Sequence, residues 1–355
     1  MSLITPDMTI ASVVERWPDA ARVLAAYGLG CASCSISKGE TIEQAMGGHA
    51  RAARVQIDAL MGHLEALAST GRLPADLPER PPAPSGGPKG VAQQAGVKHV
   101  IAVMSGKGGV GKSLVAGLLA VGLSRRGMKV GVLDGDITGP SIPRMFGVKE
   151  KPVPVGPNTL GAPRSRTGIP IMSMNLILPS EEEAVIWRGP MVSGAIRQFF
   201  EQVAWGELDY LIVDLPPGTS DAPLTVMQAL PVDGVVLVTT PQALATMVVT
   251  KAVRLVKQLG GDILGVVENM AYVTTPSGER LEVFGPSQGL KLVIAANAPL
   301  LAKLPIDPRI ADLADHGGIE DYESPEFEEL VNNFLAVAPK PAAAEPVGAG
   351  HSHAH

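Results

Sequence analysis

The stretch "GKGGVGKS", residues 106–113, carries four glycines, two lysines and a serine in the spacing G-x-x-x-x-G-K-S. Gly106, Gly108, Gly109 and Gly111, with Val110 between the last two, allow backbone N–H groups to surround phosphate oxygens. Lys112 supplies a cation for the β and γ phosphates, and Ser113 a hydroxyl for Mg2+. The expected ligand is therefore ATP with Mg2+. Only one lysine is needed for this, so Lys107 calls for a separate role. "LDYLIVDLPPGTSD" ends an apolar run in Asp214, a carboxylate suited to holding Mg2+ through water. "VLDGDITGPS" offers Asp134 and Asp136; Asp134 is expected at the metal and Asp136 at the attacking water, although an Asp-x-Asp pair alone also suits a solvated turn. The two cysteines, Cys31 and Cys34, form a CxxC, whose spacing fits metal binding or redox chemistry and does not choose between them.

These groups need elements to hold them. "HVIAVMS" before the glycine-rich loop and "LVAGLLAVGLSRRG" after it read as strand and helix, so the helix N-terminus adds its positive end to the phosphate site. The apolar runs "KVGVLD", "GIPIMSM", "YLIVD", "GVVLVTT" and "ILGVVEN" alternate with helical patterns. That alternation predicts a doubly wound α/β domain over 97–338, with a mostly parallel sheet covered on both faces. Residues 1–72 read as a small all-α unit: Thr9 can cap "IASVVERW", Pro18 breaks that helix, Asp19 can cap "AARVLAAY", and Thr41 with Gln44 forms a capping box. The CxxC then falls in a glycine-rich loop between helices. Residues 73–96 are rich in Pro and Gly and read as a linker, and 339–355 as a disordered tail. His351, His353 and His355 are expected to be solvated there. Trp17, Trp187 and Trp205 read as packing residues, and "SEEEAV" at 180–185 as a solvated helix start.

A hydrophobic content of 46% over 355 residues suffices for a core. A net charge of −6 gives no basic face for nucleic acid, and no apolar run is long enough for a bilayer span, so a cytoplasmic protein is expected.

"GKGGVGKS" resembles the deviant phosphate loop of the MinD, ParA and nitrogenase-iron-protein class of ATPases, in which the extra lysine crosses a dimer interface to the partner's nucleotide. The resemblance gives Lys107 that role, alongside a homodimer whose formation is needed for hydrolysis. The segments "LDGDITGPSIPRMFG", "WRGPMVSGAIRQFFEQVAWGELDYLIVDLPPGTSDAPLTVMQ", "VVENMAY" and "LPIDPRIADLADHGG" further resemble the Mrp family of iron-sulfur cluster carriers over nearly all of 97–338. By that resemblance Asn269 contacts the adenine, with Pro305 close to it, and the partners are iron-sulfur apo-proteins or assembly proteins. On the residues alone, Asn269 could equally end a strand.

One departure stands out. Cluster-binding members carry a CxxC shortly after "ENM", whereas this chain has "ENMAYVTTPSGERLEVFG", with Thr274 and Ser277 near those places. Hydroxyls do not replace thiolates as cluster ligands. The first 70 residues resemble a small helical domain of no settled function that carries a CxxC. In a homodimer Cys31 and Cys34 of both chains would again give four thiolates for a 4Fe-4S cluster; a redox switch or a docking loop are the other uses of that pair. Besides the cluster-carrying ATPase, two readings follow: an ATPase of this fold serving another metal centre or partner protein, and a spatial-organising ATPase of the MinD or ParA type. The last would want a basic amphipathic helix or a basic face, which the sequence lacks.

Overall fold

The computed structural model describes residues 3–27, 41–43, 54–74, 76–78, 96–136, 139, 141–177, 189–219 and 221–341. Eleven strands are numbered along the described chain: β1 Val97–Ser105, β2 Val130–Asp134, β3 Val153–Gly156, β4 Thr159–Gly161, β5 Ile171–Ser173, β6 Leu208–Asp214, β7 Gly234–Thr239, β8 Ile263–Glu268, β9 Val273–Thr274, β10 Arg280–Leu281 and β11 Leu300–Lys303. Among them seven form one sheet in the order β11-β8-β7-β1-β6-β2-β5. All of its pairings are parallel.

Side chains alternate between two apolar layers, as a sheet covered on both faces requires. Ile101, Val103, Tyr210, Ile212, Val236 and Val238 face one layer, formed with the helices Lys112–Arg125 and Pro325–Leu335. Val100, Ala102, Met104, Leu211 and Val213 face the other, where Ile196 and Phe200 of the helix Gly189–Gln202 and Val249 of the helix Ala243–Gln258 pack. This is the predicted doubly wound fold, with β11 as an edge strand and two short antiparallel hairpins, β3–β4 and β9–β10, added to it.

The helix that leaves the glycine-rich loop is set very close to the helix Pro325–Leu335. A Cβ on Gly122 would lie 2.2 Å from Val331 Cγ2 and 3.0 Å from Phe327 Cε2. Gly122→Val should therefore push the two helices apart and lower the unfolding free energy by about 1–3 kcal/mol, measured by denaturant titration.

The amino-terminal helices Ile10–Arg16, Ala20–Ala26 and Arg54–Thr70 enclose their own core of Ile10, Val13, Val23, Leu60 and Leu64. Thr9 caps the first helix as expected, its Oγ1 accepting from Ser12 N at 3.2 Å. Trp17 packs against this core, and Trp205 is buried beneath the sheet. The core is not closed by these helices alone. Val293 of the helix Gly289–Ala296 belongs to it, Leu290 and Leu300 pack on it, and Arg22 Nη1 donates to Asn333 Oδ1 at 3.0 Å.

Where the tail was expected to begin, Pro339 and Lys340 are held: Tyr210 Oη donates to the Pro339 carbonyl at 2.7 Å, and His99 Nε2 lies 3.2 Å from that of Lys340. Cys31, Cys34, Gln44, Trp187, the segment 180–185 and the terminal histidines lie outside the described residues.

Candidate functional site

The loop 106–111 joins the end of β1 to the helix Lys112–Arg125, at the carboxyl edge of the sheet. Gly109 and Gly111 have φ of 74° and 79°, in the left-handed region that favours glycine. At Gly111 there is also no room for a side chain, since a Cβ would lie 2.1 Å from Asn269 Nδ2. Gly108 differs from both. Its φ is not in the left-handed region, and a Cβ there would make only an ordinary contact, 3.9 Å from Pro217 Cβ. The loop's own packing therefore does not demand glycine at Gly108; what glycine adds there is bare backbone that another group can approach closely. Ser105 Oγ donates to the Lys107 carbonyl at 2.9 Å, and Asn269 Nδ2 donates to the Val110 carbonyl at 2.9 Å. The loop is thereby held at both ends through the carbonyls of Lys107 and Val110.

Parallel strand register gathers the carboxylates. Asp134 at the end of β2 lies beside Asp214 at the end of β6, and Asp214 is paired with Val103 of β1. Lys112 is only 5% exposed, and its Nζ lies 2.5 Å from Asp214 Oδ1, 3.7 Å from Asp136 Oδ2 and 3.3 Å from Ser113 Oγ. The expected residues Lys112, Ser113, Asp136 and Asp214 thus meet in one pocket. Burial raises the Asp214 pKa against the opposing pull of Lys112. Burial, with Asp214 alongside, pushes Asp134 up to about 8. A cluster of buried acids around one ammonium is short of positive charge, the condition a divalent cation relieves.

The three carboxylates differ in what they already hold. Asp134 accepts from Asp136 N at 3.2 Å, Ile142 N at 3.3 Å and Ser173 Oγ at 3.1 Å, so it organises the segment that carries Asp136. Asp214 Oδ2 is buried with no hydrogen-bond partner among the described residues. Such an orphaned acceptor beside a serine hydroxyl fits Mg2+.

Asn269 is 2% exposed at the end of β8, and its amide grips the phosphate loop. Met270, next to it, has φ of 56°, the strained left-handed region for a side chain of this kind. Leu304 N donates to the Glu268 carbonyl and Ala271 N to that of Leu304, both at 2.9 Å, which draws the segment of Pro305 alongside Asn269. Lys107 does not turn into this pocket. Its Nζ donates to Oε1 of Gln242 at the start of the helix Ala243–Gln258.

Three contributors were missed at the sequence level. Glu268, fully buried, accepts from Ser287 Oγ at 2.5 Å and Gln288 N at 2.7 Å, clasping "FGPSQG" to the end of β8. A glutamate closing a wholly apolar strand was the available signal, because a buried charge must find partners. Thr240 Oγ1 is buried without a partner among the described residues, and Gln242 holds Lys107; no sequence pattern marks either. Thr274 and Ser277 belong to the β9–β10 hairpin, whose turn is closed by Thr275 Oγ1 and Ser277 Oγ 2.9 Å apart. Among the described residues no group of three His, Cys, Asp or Glu side chains could hold a metal ion. Nor is any described helix long and apolar enough to cross a membrane.

Residues 96–339 match the ParA family, described as NUBPL iron-transfer P-loop NTPase, and residues 4–50 match a domain of unknown function, DUF1858. An iron-sulfur cluster carrier protein of Clostridium perfringens is 45% identical over 233 residues, 64% of this chain and 82% of that protein. One of Methanocaldococcus jannaschii is 42% identical over 245 residues, 67% of this chain and 84% of that protein. A solved nucleotide-binding protein of Archaeoglobus fulgidus in complex with ADP is 44% identical, with a TM-score of 0.60 over 66% of this chain and 92% of that one.

Proposed function

Because this chain belongs to the ParA family of NUBPL iron-transfer P-loop NTPases, we propose that it is a Mg2+-dependent ATPase which carries or helps assemble iron-sulfur clusters as a nucleotide-gated homodimer. The observation that carries the ATPase half is the buried meeting of Lys112 with Asp214 and Asp136 directly behind a glycine loop whose Gly108 and Gly109 are exposed.

In this reading the loop from Gly106 through Gly108 and Gly109 to Gly111 holds the phosphates by backbone donation. Lys112 exchanges its carboxylate partners for phosphate oxygens, so the incoming anion meets a cation that is already desolvated. Bound Mg2+ would be held by Ser113 and Asp214, Oδ2 of the latter being the unfilled acceptor, and would neutralise charge on the phosphates. Asp134 would stand at the metal with them and also fixes the segment on which Asp136 sits, and Asp136 orients the attacking water. Asn269 keeps the loop in shape through Nδ2 and leaves Oδ1 for the adenine, with Pro305 beside it. Lys107 acts on the nucleotide of the partner chain, so hydrolysis waits for the dimer. The chain works in the cytoplasm, away from nucleic acid and membrane, and delivers to iron-sulfur apo-proteins or assembly proteins.

Cargo binding falls to Cys31 and Cys34, the chain's two thiols, since the ATPase part has none. One four-iron cluster shared by two chains corresponds to about two irons per chain. Anaerobic reconstitution with iron and sulfide should give that stoichiometry and a visible charge-transfer band. Both should disappear in a variant with Cys31→Ser and Cys34→Ser. Absence of iron from the native chain under the same conditions would point instead to an ATPase of this fold serving another partner.

A further inference from the structure

The contact between Lys107 and Gln242 is not needed to build the loop. The Lys107 carbonyl is already fixed by Ser105 Oγ, and Gln242 occupies the cap position of the helix Ala243–Gln258 without its side chain capping that helix. Glutamine is a poor residue for a helix start, where Ser, Thr, Asp or Asn would satisfy the open N–H groups. Its amide instead reaches across 135 residues of sequence to accept from the lysine ammonium. Pro241 just before it fixes φ in the short connection between β7 and that helix.

We propose that Gln242 is a positioning residue which holds Lys107 within its own chain until a partner's nucleotide competes for it, and so sets the protein concentration at which hydrolysis switches on. This rests on the trans role of Lys107 given above. The choice of acceptor suits a hold that must be released. An ammonium beside a helix N-terminus meets the positive end of the helix dipole, which opposes it, and the amide oxygen offers a dipole rather than a full charge. A triphosphate across the interface offers several anionic oxygens and wins. A carboxylate at position 242 would alter this balance twice over: it would form an ion pair with Lys107, and it would itself be favoured at the helix start.

The test is the rate of ATP hydrolysis per chain as a function of protein concentration, for the full-length protein and for Gln242→Glu, Gln242→Ala and Lys107→Ala. ADP affinity, measured on dilute protein, checks that each variant is folded. Gln242→Glu should raise the concentration for half-maximal rate by roughly tenfold, and Gln242→Ala should lower it, both reaching the native rate at saturation. A merely structural role for Gln242 would lower the plateau or the ADP affinity and leave the midpoint in place, which overturns the proposal. Coincident midpoints with an inactive Lys107→Ala overturn the hold and leave the trans lysine standing. Native hydrolysis by Lys107→Ala overturns the trans lysine, and the hold with it.

Discussion

Lys112→Ala should reduce ATP turnover by about three orders of magnitude or more, because it removes the only cation in the described phosphate pocket. ADP affinity should fall with it, since the lysine meets phosphate in the ground state as well. The variant should nevertheless fold. Breaking a buried ion pair typically costs about 3–5 kcal/mol when the remaining charge stays unpaired. Here burial already raises the pKa of Asp214, so without Lys112 the carboxyl can take up a proton and escape part of that cost. Turnover assays, ADP titration and thermal unfolding of the same preparation separate the two effects. Undiminished hydrolysis by the variant would remove the nucleotide assignment altogether.

Lys107→Ala is expected to lose turnover but keep ADP affinity. A charge supplied in trans to a transferring phosphoryl group is worth roughly 10³–10⁵ in rate. Turnover should fall by that order, while a single chain should bind ADP within about twofold of the native affinity, because Lys107 points at Gln242 and not into its own pocket. Mixing the variant with an excess of Lys112→Ala chains gives a sharper check. Each mixed dimer then has one competent pocket, on the Lys107→Ala chain, facing an intact Lys107, so activity should return. If the mixture stays as inactive as its components, the lysine does not act across the interface.

How much of this was legible in the sequence depends on range. The glycine loop, its strand and its helix are contiguous, and their pattern is local. Six of the seven strands of the large sheet were visible because strands buried on both faces read as unbroken apolar runs. β11 was not: "LLAK" is four residues long and has one polar end. It becomes a strand because Leu300, Ala302 and Lys303 find β8 to pair with, a tertiary event. The β9–β10 pair is shorter still, two residues on each side, closed by Thr275 and Ser277, of which the sequence reading singled out only Ser277, as a hydroxyl in place of a thiolate. Within the site, Asp136 and Asp214 could be nominated from strand ends. That Asp134 accepts from Ser173 Oγ, and that Asn269 grips the Val110 carbonyl, are contacts across 39 and 159 residues, which no local pattern encodes.

The seat of the amino-terminal helices has a bearing on how this protein can be divided. Val293, Leu290 and Leu300 come from the ATPase part yet complete the apolar interior of the other. A cut anywhere in the connecting stretch would therefore leave each fragment with a greasy scar, one on the helix Gly289–Ala296 and the matching one across the short helices. Exposed apolar surface of that sort promotes self-association. Dimers or aggregates seen with an isolated ATPase fragment would then report the scar rather than the nucleotide, so oligomeric state in this protein has to be read from the uncut chain.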